Sequence, residues 1–177
     1  EATRLRILAV DTTTPRGSVA VVRDGEVLGE VRIRAASGHS HSVMPAVAFL
    51  LEALGIAPGD VEGYAVAAGP GSFTGVRIGI STVQGLALAS ARPCLGVCAL
   101  DVLAARGKGA ASVVVAMIDA HRDEVYAGVY DAEGVLSGSW RTEPAARIGG
   151  GEIGLWGRVV ETERDDTDAV GHDAEIR

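Results

Sequence analysis

Cysteine is scarce in this 177-residue sequence, which contains two, Cys94 and Cys98. Both lie in a stretch with the pattern of a β-strand, where roughly 13 Å would separate their Cα atoms, beyond disulfide reach. A lone Cys-x3-Cys spacing without a second ligand pair is also a poor metal signal. We therefore predict that both cysteines are reduced and buried as packing residues.

Long apolar runs and excess positive charge are absent as well. No run of 18 apolar residues occurs, and no signal-peptide pattern opens the sequence, which predicts no membrane association and a cytoplasmic location. The net charge of −7 argues against binding of a nucleic-acid backbone by this chain alone. With 47% apolar and 22% charged residues, the chain has the composition of a globular protein with one domain or two small ones sharing a core.

The most informative stretch runs from Ala68 to Ile80 and is rich in glycine. Its loop consists of Gly69, Pro70, Gly71, Ser72, Phe73, Thr74 and Gly75. Glycines permit positive φ or close backbone approach, proline fixes a turn, and Ser72 or Thr74 can cap the helix that follows. Such a loop suits an anion, and it equally suits two helices packed backbone to backbone. The spacing excludes a Walker-type phosphate loop and misses the dinucleotide fingerprint by one residue.

The apolar periodicity predicts a mixed α/β fold whose pattern restarts near Ser112. Before the restart, strands are predicted over 5–11, 18–22, 27–34, 61–68 and 93–97, with Asp24-Gly25 as a hairpin turn. Helices are predicted from Ser40 or Ser42 to Leu54, over 76–91 and over 100–106. After the restart, strands are predicted over 113–118, 125–130 and 135–141, and the polar stretch from Gly149 is predicted to be a flexible tail.

Acidic and hydroxyl groups follow two of the predicted strands. Asp11 and Thr12 end the first strand, and Asp119 ends the first strand after the restart; these are the candidates for a nucleotide or Mg²⁺ site, with ordinary polar turns as the alternative. His39 and His41 do not share a helical face, so a solvated or interface pair is favoured over a metal site. No nucleophile triad is recognisable, and catalysis by this chain alone is poorly supported.

Both predicted helices that flank the glycine loop have more apolar or small surface than one sheet can cover. The first is apolar almost all round, with Glu52 as its polar residue, and the second carries a ridge of small residues from Gly75 to Ala89. Burial by the C-terminal half of the chain and a helical subunit interface both remain open.

These motifs together resemble the TsaB (YeaZ) family of tRNA threonylcarbamoyladenosine biosynthesis. The resemblance covers about residues 5–130 and rests on 7–12, on His39 with Pro45, on 69–79, and on 118–120 followed by 124–126. It implies the actin-like ATPase (ASKHA) fold of two related subdomains. The expected division is an N-terminal subdomain over 1–107, a partial and apparently truncated second subdomain over 108–148, and an atypical tail over 149–177.

The resemblance also implies a partner role with no intrinsic catalytic, metal or cofactor site. The family pairs with TsaD, the catalytic paralogue, and with the ATPase TsaE, which are expected to hold the ATP and metal; tRNA is reached only through that complex. Asp11, Thr12 and Asp119 would then be vestigial. The interface residues implied on the two helices are Met44, Val47, Ala48, Leu51, Arg77, Ile80, Ser81 and Gln84.

Three alternatives remain from the sequence. An active actin-like enzyme could hydrolyse ATP with Asp11 and Asp119, and an older family label suggests a peptidase. A stand-alone homodimer could use the same helices. The family also usually closes with a helix and a Tyr-Leu-Arg-type ending that this sequence lacks.

Overall fold

A computed structural model of the chain describes residues 5–34, 39–109, 111–137, 141–144 and 158–159. The first sheet contains β1 (Arg6–Asp11), β2 (Arg16–Arg23), β3 (Glu26–Arg34), β4 (Gly63–Ala67) and β5 (Cys94–Val97). The second contains β6 (Val113–His121), β7 (Glu124–Asp131), β8 (Arg141–Pro144) and β9 (Arg158–Val159). The α-helices in the described ranges are α1 (Val43–Ala53), α2 (Phe73–Ser90) and α3 (Ala99–Gly107), and short 3₁₀ helices span His39–His41 and Pro58–Asp60.

The first sheet combines an antiparallel meander with two parallel strands, in the order β3-β2-β1-β4-β5. Asp24 and Gly25 both have positive φ in the tight β2–β3 turn, as the hairpin prediction requires. β4 pairs parallel to β1, and β5 pairs parallel to β4. Parallel neighbours need a crossover, which α1 and α2 provide.

The main core lies between the first sheet and α1 and α2. Because side chains alternate along a strand, one face of β2 supplies Val19 and Val21, which are fully buried. α1 packs against β2 and β3, while α2 packs mainly against β4. The resulting apolar cluster also includes Leu8, Val10, Ile33, Val43, Val47, Leu50, Leu51, Val61, Val66 and Val83.

A second core forms where α3 packs against β6 and β7. Its largest buried side chain is Tyr130 of β7, whose hydroxyl donates a 2.7 Å hydrogen bond to Oδ1 of Asp101 on α3. Burial raises the pKa of Tyr130 above its usual range, and the Asp101 carboxylate raises it further. The second sheet has the order β8-β7-β6-β9.

Most predicted elements before the restart are confirmed, but the start of α2 and the burial of the cysteines differ. α2 begins at Phe73, three residues earlier than predicted, because the Ser72 side chain caps it. Cys94 is exposed, not buried as predicted, since β5 lies at the edge of its sheet; Cys98 is half-buried, and both thiols are free.

The third strand after the restart spans Arg141–Pro144 instead of 135–141. In the predicted range, Leu136 makes an isolated bridge to Tyr130. The predicted tail over 149–177 lies outside the described residues apart from β9, which pairs parallel to β6. Among the helices of the described residues, none has the length and apolar character needed to cross a membrane.

Candidate functional site

The glycine loop is packed against the chain's own β1–β2 turn. Thr12 is fully buried, and its hydroxyl donates a 2.7 Å hydrogen bond to the carbonyl of Gly75. The carbonyl of Thr13 accepts a 2.7 Å hydrogen bond from the Ser72 amide, and the Ser72 hydroxyl accepts from the Gly75 amide at 3.3 Å. Two of the N–H donors at this helix N-terminus, those of Ser72 and Gly75, are therefore engaged within the protein.

Glycine is required in this loop because Thr12 and Thr13 approach the loop backbone too closely to leave room for a Cβ. A Cβ added at Gly71 would lie 2.5 Å from the Thr13 carbonyl oxygen. A Cβ at Gly75 would overlap the Thr12 carbonyl, and one at Gly79 would overlap the Thr12 hydroxyl. The sequence left open an anion site or helix-to-helix packing, whereas the structure shows helix backbone packed against a loop.

The acidic candidates Asp11 and Asp119 line different cavities. Oδ1 of Asp11 accepts hydrogen bonds from the amide and the hydroxyl of Thr13, which fixes the β1–β2 turn. Asp119 is exposed and accepts a 2.7 Å hydrogen bond from the His121 amide. Asp119 lines a cavity of about 350 Å³ with the glycine loop, whereas Asp11 lines a second cavity on the sheet. The two carboxylates therefore do not face one another across one shared cavity.

His39 is a buried structural residue, not a member of a solvated or interface pair. The residue is 5% exposed, and Nε2 donates a 2.7 Å hydrogen bond to the carbonyl of Thr14. It packs so closely against Gly17 that a Cβ there would lie 2.8 Å from the ring. His41 is exposed. Among the described residues, no three His, Cys, Asp or Glu side chains form a group that could hold a metal ion.

α1 and α2 contact each other and both expose apolar side chains. On α1, Met44 is 47% and Phe49 63% exposed; on α2, Phe73 is 74% and Leu88 84% exposed. Arg77 lies over the Phe73 ring with 5.2 Å between Cζ and the ring centroid. Isolated exposed apolar residues are ordinary, but several on two adjoining helices indicate a binding surface. We call these outward sides the helix face.

The structure divides the predicted interface residues into two groups. Met44, Ala48, Arg77, Ser81 and Gln84 are exposed, and Ile80 is half-buried. Val47 and Leu51 are buried at 3% and 6% exposure because they pack into the main core, so they do not belong to the helix face.

Sequence reasoning missed Phe49 and Leu88, although a signal for Phe49 was present. Glu52 is the polar residue of α1 and marks its outward side, and side chains three or four positions earlier share that side of a helix. Those positions are Phe49 and Ala48, both exposed.

The two sheets, their order and the crossover helices make this a mixed α/β protein with the actin-like ATPase fold. The family model for TsaD, "tRNA N6-adenosine threonylcarbamoyltransferase", matches residues 29–139. The Escherichia coli "tRNA threonylcarbamoyladenosine biosynthesis protein TsaB" is 39% identical over 81% of this chain and 62% of that protein. The Bacillus subtilis protein of the same name is 38% identical over 71% of this chain and 55% of that protein.

The solved structure of YeaZ from Pseudomonas aeruginosa is similar with a TM-score of 0.72 and 41% identity, covering 79% of this chain and 68% of that one. The chain belongs to the TsaB (YeaZ) family, a relative of the TsaD family. It spans 62% and 55% of the lengths of the two curated relatives described above.

Proposed function

We propose that this chain is a non-catalytic accessory subunit that binds and activates a TsaD-type threonylcarbamoyltransferase. The reaction served is the formation of N6-threonylcarbamoyladenosine beside the anticodon of tRNA. The observation that carries this proposal is the exposed helix face in a member of the TsaB family. A partner subunit that covers Met44, Phe49, Phe73 and Leu88 would remove their apolar surface from water, at roughly 25 cal/mol per Å².

The accessory role is supported by the way the glycine loop is used. Two of its N–H donors, those of Ser72 and Gly75, bond to the Thr13 carbonyl and the Ser72 hydroxyl, and Thr12 packs against Gly75 and Gly79. Asp11 serves as the acceptor within its own turn. These contacts stabilise the fold of the loop and give the motif a role that needs no bound nucleotide.

In the proposed assembly, the helix face packs against the equivalent helices of the TsaD-type partner as a bundle. ATP and metal are held by that partner and by a TsaE-type ATPase, and tRNA is bound by the complex in the cytoplasm. Without the partner, the same face would form a homodimer. The exposed members of the face include the apolar side chains of Phe73 and Leu88, the kind expected at the centre of an interface.

Co-purification with the TsaD-type protein of the same organism tests the proposal directly. We expect a stable complex and a threonylcarbamoyl transfer rate at least tenfold higher when this chain is present. The transfer assay is run with labelled threonine, the TsaE-type ATPase and tRNA, with and without the chain. A folded chain that forms no complex and leaves the transfer rate unchanged would refute the accessory role.

A further inference from the structure

A second cavity, of about 480 Å³, lies on the first sheet away from α1, and we call it the arginine cavity. Ile33 of β3 points into the main core, so its neighbours Arg32 and Arg34 point to the opposite side of the sheet. α3 borders this side. The basic residues lining the cavity are Arg16, Arg32, Arg34 and Arg106.

The local charge of this cavity is opposite to that of the whole chain. Its lining includes four arginines and two acidic residues, Asp11 and Glu30, in a protein with a net charge of −7. Glu30 Oε1 lies 3.4 Å from Arg32 Nε, and Asp11 Oδ1 accepts two hydrogen bonds from Thr13. The lining therefore has a net positive charge of two.

Two of these arginines lie side by side on neighbouring strands. Arg16 of β2 and Arg34 of β3 are directly opposite each other in the antiparallel register, and the next pair on the same side is Ser18 with Arg32. Like charges directly opposite on neighbouring strands destabilise a sheet. An anion bound on this side of the sheet would lie beside positive charge from both strands.

We infer that the arginine cavity binds phosphate groups of an RNA backbone. Guanidinium groups bind phosphate through paired hydrogen bonds, and all four of these arginines are exposed to solvent. They extend over two strands and a helix instead of converging on one point, which suits successive phosphates of a chain. The choice of RNA rests on the proposed function, whereas the prediction of an anion site does not.

RNA binding by a double variant tests this inference. Arg32→Gln with Arg34→Gln removes two guanidinium groups from the cavity, and Arg92→Gln is the matched control. Arg92 is exposed just before β5, at the opposite edge of the same sheet. Fluorescence anisotropy with labelled tRNA is measured from 50 to 200 mM salt, for the chain alone and for its complex with the TsaD-type partner.

We expect the double variant to bind tRNA about tenfold more weakly at 50 mM salt than the unmodified chain. The slope of log affinity against log salt should also fall in magnitude by about 1 to 2, since each phosphate contact contributes about 0.7 to 0.9. Arg92→Gln should leave both within twofold. Equal weakening by the control, or no effect of the double variant, would overturn the inference.

Binding of small anions distinguishes the two possible sources of phosphate, a free phosphate compound and an RNA backbone. If the double substitution abolishes binding of free ATP or pyrophosphate while tRNA binding is unchanged, the RNA assignment is overturned. Capture of the TsaD-type partner in the same samples reports on the proposed function independently. Arginine-dependent tRNA binding by a chain that captures no partner would support the cavity and refute the accessory role.

Discussion

The hydroxyl of Thr12, buried under the first turns of α2, connects β1 to the glycine loop. It lies where a Cβ at Gly79 would be, and it donates to the carbonyl of Gly75 in the helix itself. One side of a loop whose composition is typical of an anion site is thereby packed against a side chain of the same protein, while Gly71 to Thr74 line a cavity. At the residue scale, we therefore expect that substitution of these glycines lowers the stability of the folded protein.

Gly79→Ala should destabilise the protein, with Gly85→Ala as a control on the same helix. A Cβ at Gly79 would overlap the Thr12 hydroxyl, which gives an expected cost of about 1 to 3 kcal/mol for overpacking. A Cβ at Gly85 meets nothing within 4 Å, so alanine there should stabilise by about 0.5 to 1 kcal/mol. Urea unfolding measures both, and equal shifts in the same direction would contradict this account.

Tyr130→Phe should lower the free energy of unfolding by about 1 kcal/mol at pH 7, because the hydrogen bond to Asp101 is lost. Burial raises the pKa of Tyr130, so the folded protein retains the phenol proton after the unfolded chain begins to lose it, near pH 10. The stability that this proton contributes is complete below pH 10 and is lost as the pH rises further.

Urea unfolding from pH 7 to 10.5 tests the linkage. The stability of the unmodified protein should fall more steeply above pH 10 than that of Tyr130→Phe, so the two curves converge. Parallel curves would show that Tyr130 ionises equally in both states.

At the scale of elements, α1 has one side in the core and the other exposed. Val43, Val47, Leu50 and Leu51 pack inward, and the opposite side carries Ala48 and Phe49. One side of the helix packs against its own sheet, and the other side is apolar and has no partner in the described structure.

Ala48→Arg should weaken capture of the TsaD-type partner by about 30-fold or more while the chain stays folded. An arginine there would place a charge in the centre of the proposed interface, where truncations or misfits cost about 2 kcal/mol or more. Ala105→Arg, at an exposed position of α3, is the matched control and should bind normally. Circular dichroism and affinity are measured for each, and unchanged capture by Ala48→Arg would count against the helix face.

The sequence predicted the elements of the first sheet well because the hydrophobic periodicity of each strand and the turn residues between strands are local features. Asp24-Gly25 and Gly55 mark chain reversals through their own backbone preferences. It did not predict the orientation of α1, because a helix with one polar residue has little periodic contrast, and Val47 and Leu51 were assigned to the wrong side. The burial of His39 and the exposure of Cys94 depend on distant neighbours, Gly17 and the edge position of β5, that no local pattern reveals.

At the scale of the whole molecule, the cavity between the glycine loop and the β6–β7 turn is the candidate position for a nucleotide in an actin-like fold. It is lined by Gly71, Ser72, Phe73 and Thr74 on one side and by Asp119 to His121 and Tyr126 on the other. Asp11 lines the arginine cavity instead. An ATP hydrolase that uses both carboxylates on one nucleotide is therefore not supported by this arrangement.

Millimolar Mg²⁺-ATP should leave the Tm of the isolated chain within about 1 °C. A ligand present at 100 times its Kd would stabilise by about 2.7 kcal/mol and raise the Tm by several degrees. Differential scanning fluorimetry measures the shift, with Asp119→Asn as the comparison. A rise of several degrees that disappears in Asp119→Asn would favour the active-enzyme alternative.

The packing of α3 has a consequence for dividing the chain into fragments. Counted along the sequence, α3 follows β5 and falls within the expected first subdomain, yet it is buried against β6 and β7. A split at residue 107 would leave the second sheet without its helix and expose Leu100 and Ala104 on the first fragment. A split near Cys98 keeps each core with its own helices, so complementation between separately expressed halves should succeed there and fail nine residues later.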